Sequence, residues 1–206
     1  EDFQKTETSD HSDSHFVITH TGLLTANQNP TILWKVLRVL SEEYTEFKQN
    51  LKIQLIGNVD ASVVENIRKH GLYDNLEMIS YVSHSKAIEF QQKSSVLLLC
   101  LIENPDTKCI VTGKLFEYMQ AGRPIISIGY TDGDAAEILT QTRTGDTFDF
   151  YDEGLLKEKI LTYYRDYQAG TLHLQADKEA VAQYSRKKLT EKLSRLMNQL
   201  IEKESQ

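Results

Sequence analysis

TGKLFEYMQAGRPIISI, residues 112–128, followed by DGDAAEIL at 132–139, decides how the rest of the chain reads. Thr112 and Gly113 open a short helix, Gly122 stops it with Pro124 just beyond, and the apolar run 125–128 is a strand. That is the helix-to-strand half of a parallel crossover unit. Lys114 and Glu117 are spaced to share one helix face, while Leu115, Phe116 and Met119 can turn toward a sheet. A helix start with free N–H groups beside a lysine suits an anion such as a phosphate. A carboxylate one turn further in can accept hydrogen bonds from the hydroxyl pair of a sugar.

Working outward, strand and helix alternate. FVITHTG (16–22) reads as a strand ending on Gly22. Asn29 and Pro30 form an N-cap and first-turn pair, followed by one long helix with Ile32, Leu33, Val36, Leu37, Leu40, Tyr44 and Phe47 at helical spacing. LKIQLIGNV (51–59) is a second strand, 60–70 a helix, and LEMISYV (76–82) a third strand. Ser83 can cap the next helix, and SVLLLCLI (95–102) reads as a strand buried on both faces. Beyond residue 128 come a helix at 134–140, a short strand at 144–150, a helix at about 152–168 and one long final helix at about 176–203. Leu189, Leu193, Leu196, Met197 and Leu200 give that final helix an apolar stripe, with Arg186, Lys187, Lys188, Lys192 and Arg195 beside it. The stripe exceeds what a finished small domain needs, so packing on something outside this chain is expected.

The expected fold class is therefore α/β, a Rossmann-like three-layer sandwich with a mainly parallel sheet of about six strands, plus a long C-terminal helix. Ligands of such folds bind beyond the carboxyl ends of the strands. That rule selects the loops at 22–28, 82–84, 103–113 and 129–134.

A length of 206 residues fits one domain, and 40% hydrophobic with 26% charged residues describes a soluble globular chain. A net charge of −7 argues against nucleic-acid binding, which needs a concentrated positive surface. Cys100 and Cys109 lack the Cys and His partners of a zinc site, and a reduced intracellular protein is the simplest account. No apolar run approaches the roughly 20 residues that cross a bilayer. Residues 1–15, EDFQKTETSDHSDSH, read as a flexible acidic linker; Asp10, His11, Asp13 and His15 in it could hold a metal weakly, but its composition is that of a solvated segment. Neither a dinucleotide glycine fingerprint nor a GxxxxGK[ST] loop is present.

The block TGKLFEYMQAGRPIISIGYTDGDAAEIL resembles the carboxy-terminal domain of bacterial retaining glycosyltransferases of the family 4 type within the GT-B architecture, which has two facing Rossmann-like domains. The pattern continues from FVITHTG to YSRKKLTEKL, so the resemblance covers residues 16–206. It implies a domain that binds a nucleoside-diphosphate sugar as donor substrate, without cofactor or metal. It also implies an N-terminal acceptor domain outside this chain, and a fragment that does not turn over alone. The acceptor implied is a glycan or lipid-linked molecule in cell-surface polysaccharide synthesis, such as lipopolysaccharide or O-antigen. The location implied is cytoplasmic, with peripheral membrane contact of the full-length protein.

By position, the resemblance implies that Glu117 contacts ribose hydroxyls and that Lys114 lies near phosphate. The backbone of Val111, Thr112 and Gly113 approaches the sugar and diphosphate, Gly22 forms the loop after the first strand, and Val82 and Ser83, with His84, face the base. Where the family often has a glutamate eight positions before Glu117, this chain has Cys109. Where it commonly has an arginine and a lysine after the first strand, this chain has Leu23 and Asn29. Lys108, Arg123, and the second helix start at Gly133 and Asp134 are candidate substitutes for phosphate contact. Glu103 and Asp106 stand near enough to the site in sequence to approach the sugar.

Other readings stay open beside these. Lys114 and Glu117 could pair with each other as an exposed one-turn salt bridge. His20 is more readily a satisfied core histidine than a base. A non-catalytic scaffold of the same fold, or half of a nucleotide-sugar epimerase, are the alternatives to a transferase.

Overall fold

The computed structural model describes residues 15–204, so most of the 1–15 linker segment lies outside the described residues. Six parallel strands, β1 (Phe16–Thr21), β2 (Leu51–Ile56), β3 (Leu76–Ile79), β4 (Val96–Cys100), β5 (Ile125–Ile128) and β6 (Gly145–Phe148), lie in the order β3-β2-β1-β4-β5-β6. The expected sandwich is therefore observed, and the strand order reverses between β1 and β4. That reversal opens a crevice at the carboxyl ends of these two strands.

Helices cover both faces of the sheet. On one face α1 (Thr31–Glu43), α2 (Thr45–Asn50), α3 (Ala61–Lys69) and α7 (Glu153–Gln168) bury Leu33, Trp34, Phe47, Ile67 and Ile160 against Phe16, Ile18 and Ile53. On the other, α5 (Gly113–Ala121) and α6 (Asp134–Thr142) bury Leu115, Tyr118, Met119 and Leu139 against Leu97, Leu99 and Ile125. The remaining helices are α4 (His84–Lys93), α8 (Lys178–Ala182) and α9 (Arg186–Glu204). β4 is buried at every position, as its unbroken apolar run requires.

Several element ends differ from the sequence reading, β2 ending at Ile56 rather than 59 among them, and four departures have a clear physical cause. Pro30, not Asn29, is the N-cap of α1, and the Asn29 side chain instead accepts from the buried Trp34 indole at 2.8 Å. The long first helix breaks at Tyr44, whose extended backbone lets α2 swing Phe47 against Phe16 and Tyr164. β3 stops at Ile79, not 82, because its partner β2 ends at Ile56 and Gly57 turns away with φ +115°. The final helix is two helices: α8 is capped by Asp177, the chain turns at 183–185 where Tyr184 packs on Phe116, and the Ser185 hydroxyl accepts from Lys188 N–H to restart it. Along α9 the apolar stripe is uncovered, with Leu193 58% and Leu200 64% exposed.

Candidate functional site

Two glycine turns form the floor. Gly22 follows β1 with φ +95° and Gly57 follows β2 with φ +115°, a backbone region that side chains disfavour. The two turns nest closely: a Cβ on Gly57 would meet the Gly22 carbonyl at 2.6 Å. Above them lies a cleft of about 280 Å³, walled by Tyr81, Val82, His84 and Ala87 on one side and by Lys114 and Glu117 on the other. Lys114 and Glu117 thus share one face and one cleft, as their spacing predicts.

The helix that carries them is fixed to β1 from inside. The Tyr118 hydroxyl accepts from Thr21 N–H at 2.9 Å, and the Thr21 hydroxyl accepts from Gln91 Nε2 at 3.0 Å. Next along the same strand face, Ser94 donates to Thr19 at 2.6 Å. These buried threonines replace the branched aliphatics usual in a parallel strand, and they tie α4 and α5 to the end of β1. Burial raises the Tyr118 phenol, so it stays protonated. Tyr118 was not singled out from the sequence; its place four residues after Lys114 was the available signal.

Lys114 crosses the end of β1. Its Nζ donates to the Leu23 carbonyl at 2.7 Å and lies 3.2 Å from His20 Nε2. It is therefore not spent on an ion pair with Glu117. Burial lowers its pKa, with the nearby Cys100 and Glu117 acting in the opposite direction. His20 is fully buried, with both ring nitrogens within hydrogen-bond distance of a partner, which agrees with a satisfied histidine rather than a base.

The remaining expected residues divide. Thr112 is the N-cap of α5 with extended backbone, but its buried hydroxyl makes no cap bond and has no partner. Gly113 has open space where a Cβ would sit, and it borders a second hollow of about 460 Å³ that shares His84 and Glu117 with the cleft. Phe116, Tyr184 and Arg186 wall that hollow. Val111 packs against the core instead. Val82 lines the cleft, whereas the Ser83 hydroxyl accepts from Lys86 N–H and caps α4.

The candidate phosphate substitutes lie elsewhere. Lys108 pairs with Asp132 at 2.6 Å over the Tyr130 ring, and its carbonyl accepts from Asp134 N–H at 3.0 Å. That contact occupies part of the helix start at Gly133 and Asp134. Arg123 precedes β5, at the amino-terminal end of the strands and so opposite the cleft, and donates to the Gln92 carbonyl at 2.6 Å. Burial lowers its pKa. None of these four lines the cleft. Glu103 accepts from the Tyr151 hydroxyl, and the backbone carbonyl of Asp106 receives the Cys109 thiol.

The pattern of the family glycosyl transferases group 1 matches residues 2–188. The chain belongs to this family. No curated protein matches its sequence. Solved structures share the fold. A variant of S. aureus TarM in complex with fondaparinux, alpha-GlcNAc-glycerol and UDP is 13% identical, with a TM-score of 0.69 over 94% of this chain and 37% of that one. The Anabaena protein HepE in complex with UDP-glucose is 16% identical, with a TM-score of 0.62 over 87% of this chain and 49% of that one. The C-terminal domain of LpcC, a glycosyl transferase group 1 protein from Francisella tularensis, is 13% identical, with a TM-score of 0.59 over 82% of this chain and 85% of that one. The chain thus spans less than half the length of the TarM and HepE structures.

Proposed function

We propose that this chain is the donor-binding domain of a glycosyltransferase that moves a sugar from a nucleoside-diphosphate sugar to a glycan or lipid-linked acceptor. The observation that carries the reading is the joint placement of Lys114 and Glu117 in one cleft over the Gly22 turn, at the switch point between β1 and β4. The α5 start and Lys114 offer N–H dipoles and a cation to the diphosphate, and Glu117 offers acceptors to the ribose. Val82 and His84 border the place left for the base.

Catalysis then rests on positioning the donor and stabilising the diphosphate leaving group, with no nucleophile required from this domain. The acceptor site belongs to a further domain, in cell-surface polysaccharide synthesis at the cytoplasmic side of a membrane. UDP-bound relatives of the same fold support uridine as the first base to test.

Calorimetric titration with UDP, GDP and their sugar conjugates tests this. Saturable binding that falls by about tenfold or more in Glu117→Ala, with the thermal midpoint unchanged, is the expected result. Wild-type chain that binds none of these ligands at millimolar concentration would favour the scaffold reading, for which the uncovered α9 stripe is the specific observation.

A further inference from the structure

Next to the cleft sits a buried histidine that the proposed chemistry does not use. His20 is 0% exposed, on the strand face it shares with Phe16 and Ile18. Its Nδ1 lies 2.9 Å from the Leu98 carbonyl. A carbonyl only accepts, so Nδ1 carries the proton and Nε2 presents a lone pair. The Lys114 ammonium, which only donates, is 3.2 Å from that lone pair. With this tautomer the 3.3 Å approach of Nε2 to the Leu23 carbonyl brings two acceptors together, and the ammonium, 2.7 Å from Leu23 O, bridges them. The opposite tautomer would lose the Leu98 bond and set an N–H against a cation.

We propose that His20 is a positioning residue for Lys114, its neutral imidazole accepting from the ammonium and holding that charge over the Gly22 turn, where a diphosphate binds. The diphosphate part rests on the nucleotide-sugar reading above. Lys114 carries the cation where Leu23 and Asn29 supply none, and a flexible lysine is useful there only if its head is held in place. The contact with Gly22 shows how close the hold is: a Cβ on that glycine would meet Lys114 Cε at 3.0 Å. An aliphatic side chain at position 20, like its neighbours Phe16 and Ile18, would leave the ammonium a single tether at Leu23. Burial first, and the Lys114 charge second, keep the imidazole pKa down at about 4, so the neutral ring is the form present at neutral pH.

Two measurements on the intact chain test this separately. In ligand-free protein at neutral pH, ¹⁵N NMR of labelled histidine should show His20 as the Nδ1–H tautomer, with an Nε2 resonance that moves in Lys114→Met. An Nε2–H tautomer, or an Nε2 signal indifferent to Lys114→Met, overturns the contact. Calorimetry with UDP and inorganic pyrophosphate as probes should then show about a tenfold loss for both in His20→Leu. In His20→Gln, whose amide oxygen restores an acceptor at the Nε2 position, both should return to within about threefold of wild type. Wild-type binding that His20→Leu leaves unchanged overturns the positioning role alone. Wild type that binds neither probe overturns the nucleotide-sugar reading, and with it any diphosphate role for Lys114.

Discussion

The ammonium of Lys114 donates to the backbone carbonyl of Leu23 across 2.7 Å, so the first turn of α5 is tied over the end of β1. The tie is redundant for folding, because one turn further on Tyr118 is bonded to Thr21. Lys114→Met keeps the stem and removes the charge. Its thermal stability should therefore change by no more than about 1 kcal/mol, while affinity for UDP falls by about tenfold or more. A differential scan beside a UDP titration checks both halves. A variant that melted far below wild type would make the lysine a structural strut instead.

The helix, the stop at Gly122 and the strand that follows were legible because each rests on local chemistry. Gly122 closes α5 in the left-handed region at φ +70°, and β5 has the predicted limits. The break at Tyr44 was not legible, since no glycine or proline marks it and its cause is a tertiary contact of Phe47 with Phe16 and Tyr164. The turn at Tyr184 is similar, set by a ring on α5 more than sixty positions earlier. At the site, the spacing of Lys114 and Glu117 was enough to place them in one cleft. Of the other wall, Val82 and His84 were reached through the strand-end rule and the resemblance, but Tyr81 and the Gly57 floor were not, because they come from strand ends whose adjacency depends on the sheet order.

His20 links stability to acidity. Its pKa is about 4 in the folded chain against an ordinary value of 6.5, lowered first by burial and then by the Lys114 charge. Unfolded chains take up the proton as pH falls through 6.5; the native state takes it only near 4. The contribution of a neutral His20 is thus fully present above about pH 6.5 and is lost as pH falls from there to 4. Over that window the loss is about 3 kcal/mol. Urea melts at pH 7 and pH 4 should show a smaller difference, by about that amount, in His20→Gln than in wild type.

Arg123 separates structure from binding. It sits at the amino-terminal end of the strands, away from the cleft, with Nε 2.6 Å from the Gln92 carbonyl near the end of α4. Arg123→Met should cost about 1 to 2 kcal/mol, because the part-buried Gln92 carbonyl loses a charged donor. UDP affinity should be unchanged. A loss of affinity without a loss of stability would place this guanidinium in the ligand's field after all.

The strand β6 closes one edge of the sheet, two strands away from β4 and the cleft. Gly145 opens β6 opposite Ile125, and a Cβ there would collide with the Ile125 carbonyl and stand 2.7 Å from its Cβ. The nearest obstacle is backbone, which cannot rotate aside, and Gly145 does not have the positive φ that would give it a conformational reason to be glycine. Close strand packing is the physical reason that remains. Gly145→Ala should therefore destabilise the chain by about 3 kcal/mol or more and push β6 off β5. Hydrogen exchange is the direct readout: amide protection at 145–148 should collapse in the variant while that of β1 and β4 is retained. Equal loss across all six strands would mean that β6 is integral to the global unfolding unit rather than a detachable edge.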